Sequence, residues 1–260
     1  MCTVIFAYKA HPIYDLIYLG NRDEFKARQT EPSKFWSNHP EMIAGKDLKA
    51  GGTWMGMTKQ GRISFLTNHR DFTKIKEDGR SRGELPVRFL TEAQESKGYL
   101  KALSDEKMLY SPYNLVAGDM NELHFYSNVM DEVISVEQGV YGVSNAFFDT
   151  PWPKVEKAKE RLKVLLEEKW ACEDALEEAL FEILEDREIV PDEQLPDTGI
   201  ELELERNLSS IFIDLDTHGT VYQTVILIDK TGHVHYSERY LDGPSGMWKS
   251  HKFDFSLMMP

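Results

Sequence analysis

Apolar residues run almost unbroken from Thr3 to Tyr8, give way to the polar stretch Lys9-Ala10-His11-Pro12, and resume from Tyr14 to Leu19. Two short apolar runs around a turn signal predict a β-hairpin. Its second strand ends in Gly20-Asn21-Arg22-Asp23-Glu24. Further on, Gly51-Gly52-Thr53-Trp54-Met55-Gly56-Met57 reads as a tight turn entering a strand. Lys59-Gln60-Gly61 reads as a hairpin turn and residues 62–68 as the returning strand. Helices are predicted over 83–93 and 95–103, followed by a hairpin around 119–122 and a strand at 140–144. Pro151-Trp152-Pro153 starts a helix bearing Val155, Ala158, Leu162, Leu165 and Leu166 at helical spacing. A second helix carries Cys172, Leu176, Leu180, Ile183 and Leu184 on one face. Strands return at 208–215, 220–229, 233–240 and 252–257. Strands, two blocks of helices and strands again predict an α+β architecture, antiparallel sheets with helices on their outer faces.

Composition narrows the classes of function. A chain of 260 residues with no internal repeat or low-complexity tract, and an acidic connection over 192–205, reads as a single domain over 1–260. Net charge is −14, and residues 155–205 contribute −12 of it, from eighteen Asp/Glu and six Lys/Arg. The acidity belongs to the helical block, and it argues against a nucleic-acid binder, which needs Lys and Arg for phosphates. No stretch reaches the length of a membrane span, and the amino terminus lacks the basic and apolar regions of a signal peptide. Two distant cysteines, Cys2 and Cys172, provide neither a disulfide framework nor zinc-ribbon spacing. A cytoplasmic location is expected.

The hairpin concentrates chemistry. If its strands pair, the polar tetrad Asn21-Arg22-Asp23-Glu24 lies beside Cys2, and removal of Met1 makes Cys2 the first residue. Its thiol and α-amine are then tethered, with ordinary pKa values of about 8.5 and about 7.7–8.0, so the amine can take the thiol proton directly or through water. One residue thus supplies nucleophile and base. A nearby Arg22 favours thiolate, and Asp23 either orients the ammonium or anchors a polar group of a substrate. Acyl transfer also needs donors to an oxyanion, and Asn68, Asn114 and Asn145 each sit at or near a strand end. Elsewhere the plain readings prevail. Cys172 is expected in the core, and Trp54, Trp152 and Trp248 as packing residues. His233 and His235 share a strand face with no third metal ligand evident, so an exposed strand is expected there.

Asn21-Arg22-Asp23-Glu24 after an N-terminal Met-Cys resembles the NRDE family, also called the transport and Golgi organisation protein 2 family. The resemblance spans almost the whole chain. It continues through Gly51-Gly52-Thr53-Trp54-Met55-Gly56, Leu66-Thr67-Asn68, Arg82-Gly83-Glu84-Leu85, Tyr113-Asn114-Leu115 and Gly142-Val143-Ser144-Asn145. Thr150-Pro151-Trp152, Leu208-Ser209-Ser210-Ile211-Phe212, Leu227-Ile228-Asp229, Gly232-His233-Val234 and Glu238-Arg239 complete it.

The family is similar to N-terminal-nucleophile hydrolases of the cholylglycine hydrolase and penicillin V acylase type. The resemblance therefore implies a four-layer αββα sandwich and a cysteine amidase that cleaves a non-peptide C–N bond of a small molecule. It implies Cys2 as nucleophile, Arg22 and Asp23 as its assistants, and Asn68 and Asn145 at the oxyanion, with Asn21, Glu24 and Asn114 as substrate-binding positions. No cofactor or metal is implied for that reaction. The alternative is a non-catalytic protein of the same fold that handles haem, acyl-CoA or a lipid. One departure stands out. Relatives read Gly-Thr-Arg late in the chain, whereas this sequence has Gly219-Thr220-Val221, which removes a cation.

Overall fold

The first two strands form the hairpin that the pattern predicts. In the computed structural model, which describes residues 2–258, β1 (Cys2–Tyr8) and β2 (Tyr14–Phe25) pair antiparallel. Lys9 takes a left-handed conformation at the turn, φ 52°. His11 ties it down, its Nδ1 accepting from the backbone N–H of Ile13 at 3.1 Å and of Tyr14 at 3.3 Å. The resulting register sets Phe6 opposite Tyr18, Val4 opposite Gly20 and Cys2 opposite Arg22.

The chain continues through β3 (Thr30–Trp36), β4 (His39–Asp47), β5 (Met55–Thr58), β6 (Ile63–Asn68), α1 (Glu84–Thr91) and α2 (Ser96–Glu106). Next come β7 (Tyr113–Gly118), β8 (Leu123–Ser127), β9 (Glu132–Val136) and β10 (Gly139–Val143). The helical block is α3 (Pro153–Glu167), α4 (Glu173–Leu184) and α5 (Leu202–Asn207). The last strands are β11 (His218–Asp229), β12 (His233–Asp242) and β13 (Met247–Ser256). The fold is α+β, with two antiparallel sheets ordered β10-β1-β2-β11-β12-β13 and β3-β4-β5-β6-β7-β8-β9.

The chain divides into two compact units, each assembled from non-contiguous segments. The first comprises the chain up to Ala27, Gln138–Ser144 and Phe148–Asp254. One face of its sheet, with Ile5, Ala7, Ile17, Leu19, Val225 and Leu227, packs on Val155, Ala158 and Leu162 of α3. Leu176, Leu180, Phe181, Ile183 and Leu184 of α4 complete that core. Each such side chain contributes about 1.5–3 kcal/mol by leaving water, which outweighs the weak intrinsic helicity of a 12-residue segment. Because side chains alternate along a strand, Cys2, Val4 and Phe6 of β1 and Tyr18, Gly20, Arg22 and Glu24 of β2 share the opposite face.

The second unit comprises Arg28–Glu137, Asn145–Phe147 and the chain from Phe255 on. In it α1 and α2 cover their sheet through Leu85, Phe89, Leu90, Tyr99, Leu100 and Leu103. Two of the glycine-bearing motifs meet here. The backbone of Gly83 approaches so closely that a Cβ on Gly52 would lie 2.4 Å from its carbonyl carbon, and Thr53 N–H donates to Gly83 O at 2.9 Å.

Two expectations change. Residues 208–215 are buried in part but form no strand: Ser210 Oγ donates to Phe212 O, Phe212 N–H donates to Asp186 O, and Ile213 N–H donates to Thr220 Oγ1. A serine hydroxyl, a threonine hydroxyl and a carbonyl just beyond α4 supply the partners that a ladder would otherwise provide. Cys172 is exposed, because it caps α4 in extended conformation rather than joining its apolar face. Trp248, on the last strand, packs its ring 5.8 Å from that of Phe212, as expected of a packing residue, and leaves part of it exposed.

Candidate active site on the first hairpin

Arg22 lies between Cys2 on one side and Tyr222 on the other, its cross-strand partners on β1 and β11. The guanidinium is 6% exposed, donates from Nη2 to Glu24 Oε2 at 3.3 Å, and stands 5.9 Å from the centre of the Tyr222 ring, within cation–π range. Cys2, Arg22 and Glu24 are therefore neighbours on one sheet face. Removal of Met1, on which the amine chemistry depends, lies outside the described residues.

Alternation divides the tetrad. Asn21 and Asp23 belong to the helix-side face, where Asn21 Nδ2 donates to Leu184 O at 2.8 Å and to Ile211 O at 3.0 Å. That amide joins β2 to the end of α4 and to the segment beyond α5. Both of its protons are committed to the protein. Asp23 is buried, and its Oδ1 accepts from Thr220 Oγ1 at 2.7 Å. Ladder pairs Asp23–Thr220 and Arg22–Tyr222 leave Val221 as an extra residue, a β-bulge. Val221 is thus a buried, apolar bulge residue.

Burial pushes the Cys2 thiol above its ordinary range; the Asp23 carboxylate adds to that rise and the Arg22 guanidinium opposes it. Desolvation prevails, so the sulfur rests as a neutral thiol at neutral pH and needs a base before it attacks. Arg22 does not by itself turn it into a thiolate. His218 on β11 is held below the usual imidazole range, again by burial first. Ser144 supports the strand start, with Oγ 3.1 Å from Thr3 Oγ1 and donating to Cys2 O at 3.4 Å. The sequence reading missed Ser144, and it missed Tyr18, whose hydroxyl lies over Gly20. An aromatic residue two places before a glycine, on one strand face, is the signal that points to the latter.

The three asparagines lie in the second unit. Asn145 Nδ2 donates to Asn68 O at 2.9 Å, and Arg70 N–H donates to Asn145 O at 2.7 Å. Asn114 Nδ2 donates to Thr67 Oγ1 at 3.1 Å and to Ala146 O at 2.6 Å. Both amide protons of Asn114 are thus occupied, and its buried Oδ1 is the atom with no hydrogen-bond partner among the described residues. A substrate contact at Asn114 would be to an acceptor, not a donor.

A second polar cluster lies on the helix side of the first unit. His235 is buried and bonded to Glu177 through Nε2 and to Asp254 through Nδ1, while Ser237 Oγ donates to Glu177 Oε1 at 3.0 Å. The expectation of an exposed strand fails at this residue, which faces a carboxylate of α4. Asp174, Glu177 and His235 bring ligand atoms within 4.8 Å of one another. Lys252 Nζ, at 2.7 Å from Asp174 Oδ1 and 2.9 Å from Glu177 Oε2, already supplies the cation. Among the described residues, no helix is long and apolar enough to cross a membrane.

Comparison with solved structures gives a Caenorhabditis elegans N-acylethanolamine-hydrolyzing acid amidase ortholog at a TM-score of 0.52. The match covers 87% of this chain and 92% of that one, at 14% identity. The likeness is one of fold, α+β with two antiparallel sheets and helices. Sequence likeness is much closer to Transport and Golgi organization 2 homologs. The mouse protein is 34% identical over 275 residues and the human protein 33%, with 99% of each chain covered in both comparisons. The model of the family described as Transport and Golgi organisation 2 matches residues 1–243, and this chain belongs to that family.

Proposed function

We propose that the protein is a cysteine amidase that hydrolyses a linear, non-peptide amide of a small molecule. The observation that carries the reading is the pairing of Cys2 with Arg22 at the open end of the first hairpin, in a chain that shares its fold with an amidase. Once Met1 is removed, the Cys2 α-amine takes the proton of the neutral thiol as sulfur attacks the amide carbonyl. The C–N bond breaks, the amine's proton passes to the leaving nitrogen, and the acyl group rests on sulfur as a thioester. Water, deprotonated by the same amine, then releases the carboxylic acid and restores the thiol. Arg22 offers positive charge beside sulfur, and Asp23, fixed by Thr220, holds the ammonium or a polar group of the substrate. Both cysteines are free, which fits a reducing compartment.

Intact-mass analysis with a thiol-directed electrophile, run on a Cys172→Ser background because Cys172 is exposed, tests the first requirement. Loss of Met1 and a single adduct at Cys2 are expected. Hydrolysis of a panel of N-acyl amides is then compared with that of Cys2→Ser. Quantitative retention of Met1, or turnover unchanged in Cys2→Ser, would overturn the reading.

A further inference from the structure

Gly20 has no side chain, and the space beside it is taken by a phenol. A Cβ built on Gly20 would lie 2.6 Å from Tyr18 Oη and 3.0 Å from its Cζ. The Tyr18 ring therefore lies along β2, over the residue two places ahead, and points its hydroxyl towards the Arg22 end of the strand. The register places this seat precisely enough to matter for chemistry. Gly20 is opposite Val4, one same-face step from Cys2 opposite Arg22, and such a step is about 7 Å along a strand. A tyrosine that spans one step sets its hydroxyl over Gly20, with the Cys2–Arg22 pair as the next row on the same face, close enough for the hydroxyl and the sulfur to interact electrostatically. Tyr18 is buried, so its hydroxyl is a fixed group in a water-poor space.

From this arrangement we infer that Tyr18 is a positioning residue of the Cys2 site, its hydroxyl seated over Gly20 to donate a hydrogen bond to the sulfur as the thiol loses its proton. The inference rests on the reading of Cys2 as the reactive group. Electrostatics agrees with it. Burial holds the Tyr18 phenol well above its usual range, and the Cys2 sulfur and the Glu238 carboxylate push it in the same direction. The phenol therefore keeps its proton well above the ordinary phenol range, so it serves as a donor and not as a second base. Glu238 is fully buried on β12 and is bonded to His251 Nε2 at 3.0 Å. It shares the row Gly20–Thr224–Glu238 across three strands, where its charge keeps the hydroxyl proton from leaving.

The geometry makes a pair of substitutions diagnostic. Tyr18→Phe removes the donor and leaves the ring. Gly20→Ala forces the hydroxyl from its seat, because the new methyl group falls on Oη. Tyr18→Phe with Gly20→Ala relieves the overlap with oxygen, which keeps the test independent of whether Gly20→Ala alone folds well.

The readout is the Cys2 titration itself, followed by NMR of cysteine labelled at Cβ in a Cys172→Ser background, where Cys2 is the one cysteine. Tyr18→Phe is expected to raise the Cys2 pKa by about one pH unit, the scale of one hydrogen bond to a charged acceptor. The double variant is expected to show the same shift rather than twice the shift. A pKa unmoved or lowered by Tyr18→Phe, or shifts that add in the double variant, would overturn the inference. The titration needs no substrate. A shift without amide turnover would therefore defeat the amidase reading and leave this one standing. Turnover that depends on Cys2, with no shift, would do the reverse. Where an amide is turned over, Tyr18→Phe should lower kcat/KM about tenfold and move the alkaline-side onset of its pH profile with the thiol.

Discussion

Asp23 and Thr220 are joined by a 2.7 Å hydrogen bond across the β2–β11 ladder, at the point where Val221 bulges out of register. The bond fixes one oxygen of a carboxylate that is 1% exposed. Without a bulge, the residue paired with Arg22 would be Val221 and not Tyr222, and its side chain would take the face now held by the ring. The bulge thus decides both what Asp23 accepts from and what Arg22 stacks near.

Thr220→Val keeps the shape of the residue and deletes that donor, together with the acceptor of Ile213 N–H. Removing a partner from a buried polar group costs about 1–3 kcal/mol, more when the group is charged. Urea unfolding should show a loss of that size in Thr220→Val. Thr220→Ser, which keeps the hydroxyl, should recover most of it. Equal stability of the two variants would show that the bond carries no weight.

Cys172 precedes the first residue of α4 and makes no side-chain cap bond. Serine is among the better residues at such a position, because its oxygen accepts from the unpaired N–H groups of the first turn. Cys172→Ser should therefore raise the thermal midpoint, by roughly 0.5–1 kcal/mol in stability, while removing the exposed thiol that competes for electrophiles. A lowered midpoint would mean that the sulfur makes contacts a cap bond does not replace.

Gly52 shows why two distant glycine motifs occur together in this chain. Its α-hydrogen faces the Gly83 carbonyl carbon, and rigid backbone cannot rotate aside as a flexible side-chain end would. Gly52→Ala should cost about 1–3 kcal/mol through overpacking, measurable as a lower urea midpoint. Gly98, where a Cβ would meet nothing within 4 Å, sits inside α2. Gly98→Ala should be neutral or stabilising by up to about 1 kcal/mol.

Much of this architecture is legible in the sequence because its signals are local. The first hairpin, α3 and α4 follow from apolar periodicity and from turn residues, and Cys2 opposite Arg22 follows from the length of one turn. Features set by long-range partners are not legible in that way. The tetrad reads as one cluster along the chain, yet alternation sends Asn21 to the carbonyls of Leu184 and Ile211. Residues 208–215 have the apolar content of a strand, and only the presence of Asp186 and Thr220 shows where their backbone bonds go. His235 has the same local pattern as His233, and the difference between them is Glu177, fifty-eight positions away.

That last pairing makes stability depend on pH in a definite window. Glu177, Asp254 and Ser237 face His235 or its partner, with Lys252 beside them. Hydrogen bonding to Glu177 is the main reason that the His235 pKa is raised to about 9, against 6.5 for the unfolded chain. A group whose folded pKa is raised favours the folded state while it is protonated. Its contribution is therefore complete below about pH 6.5 and is lost as pH rises through about 9. The shift corresponds to at most about 3 kcal/mol, and for a side chain 6% exposed little of it is screened by solvent. Stability from urea unfolding should fall progressively between those limits. The phenols of Tyr14, Tyr99 and Tyr110, raised by burial, titrate only above that window. In His235→Gln the slope should flatten over this interval, with lower stability at neutral pH. The lowered Glu177 acts in the other direction, its contribution being lost only as pH falls into the acid range. A wild-type stability that stays level from pH 6.5 to 9, or a slope unchanged in His235→Gln, would show that the imidazole is not held as a cation between α4 and β13.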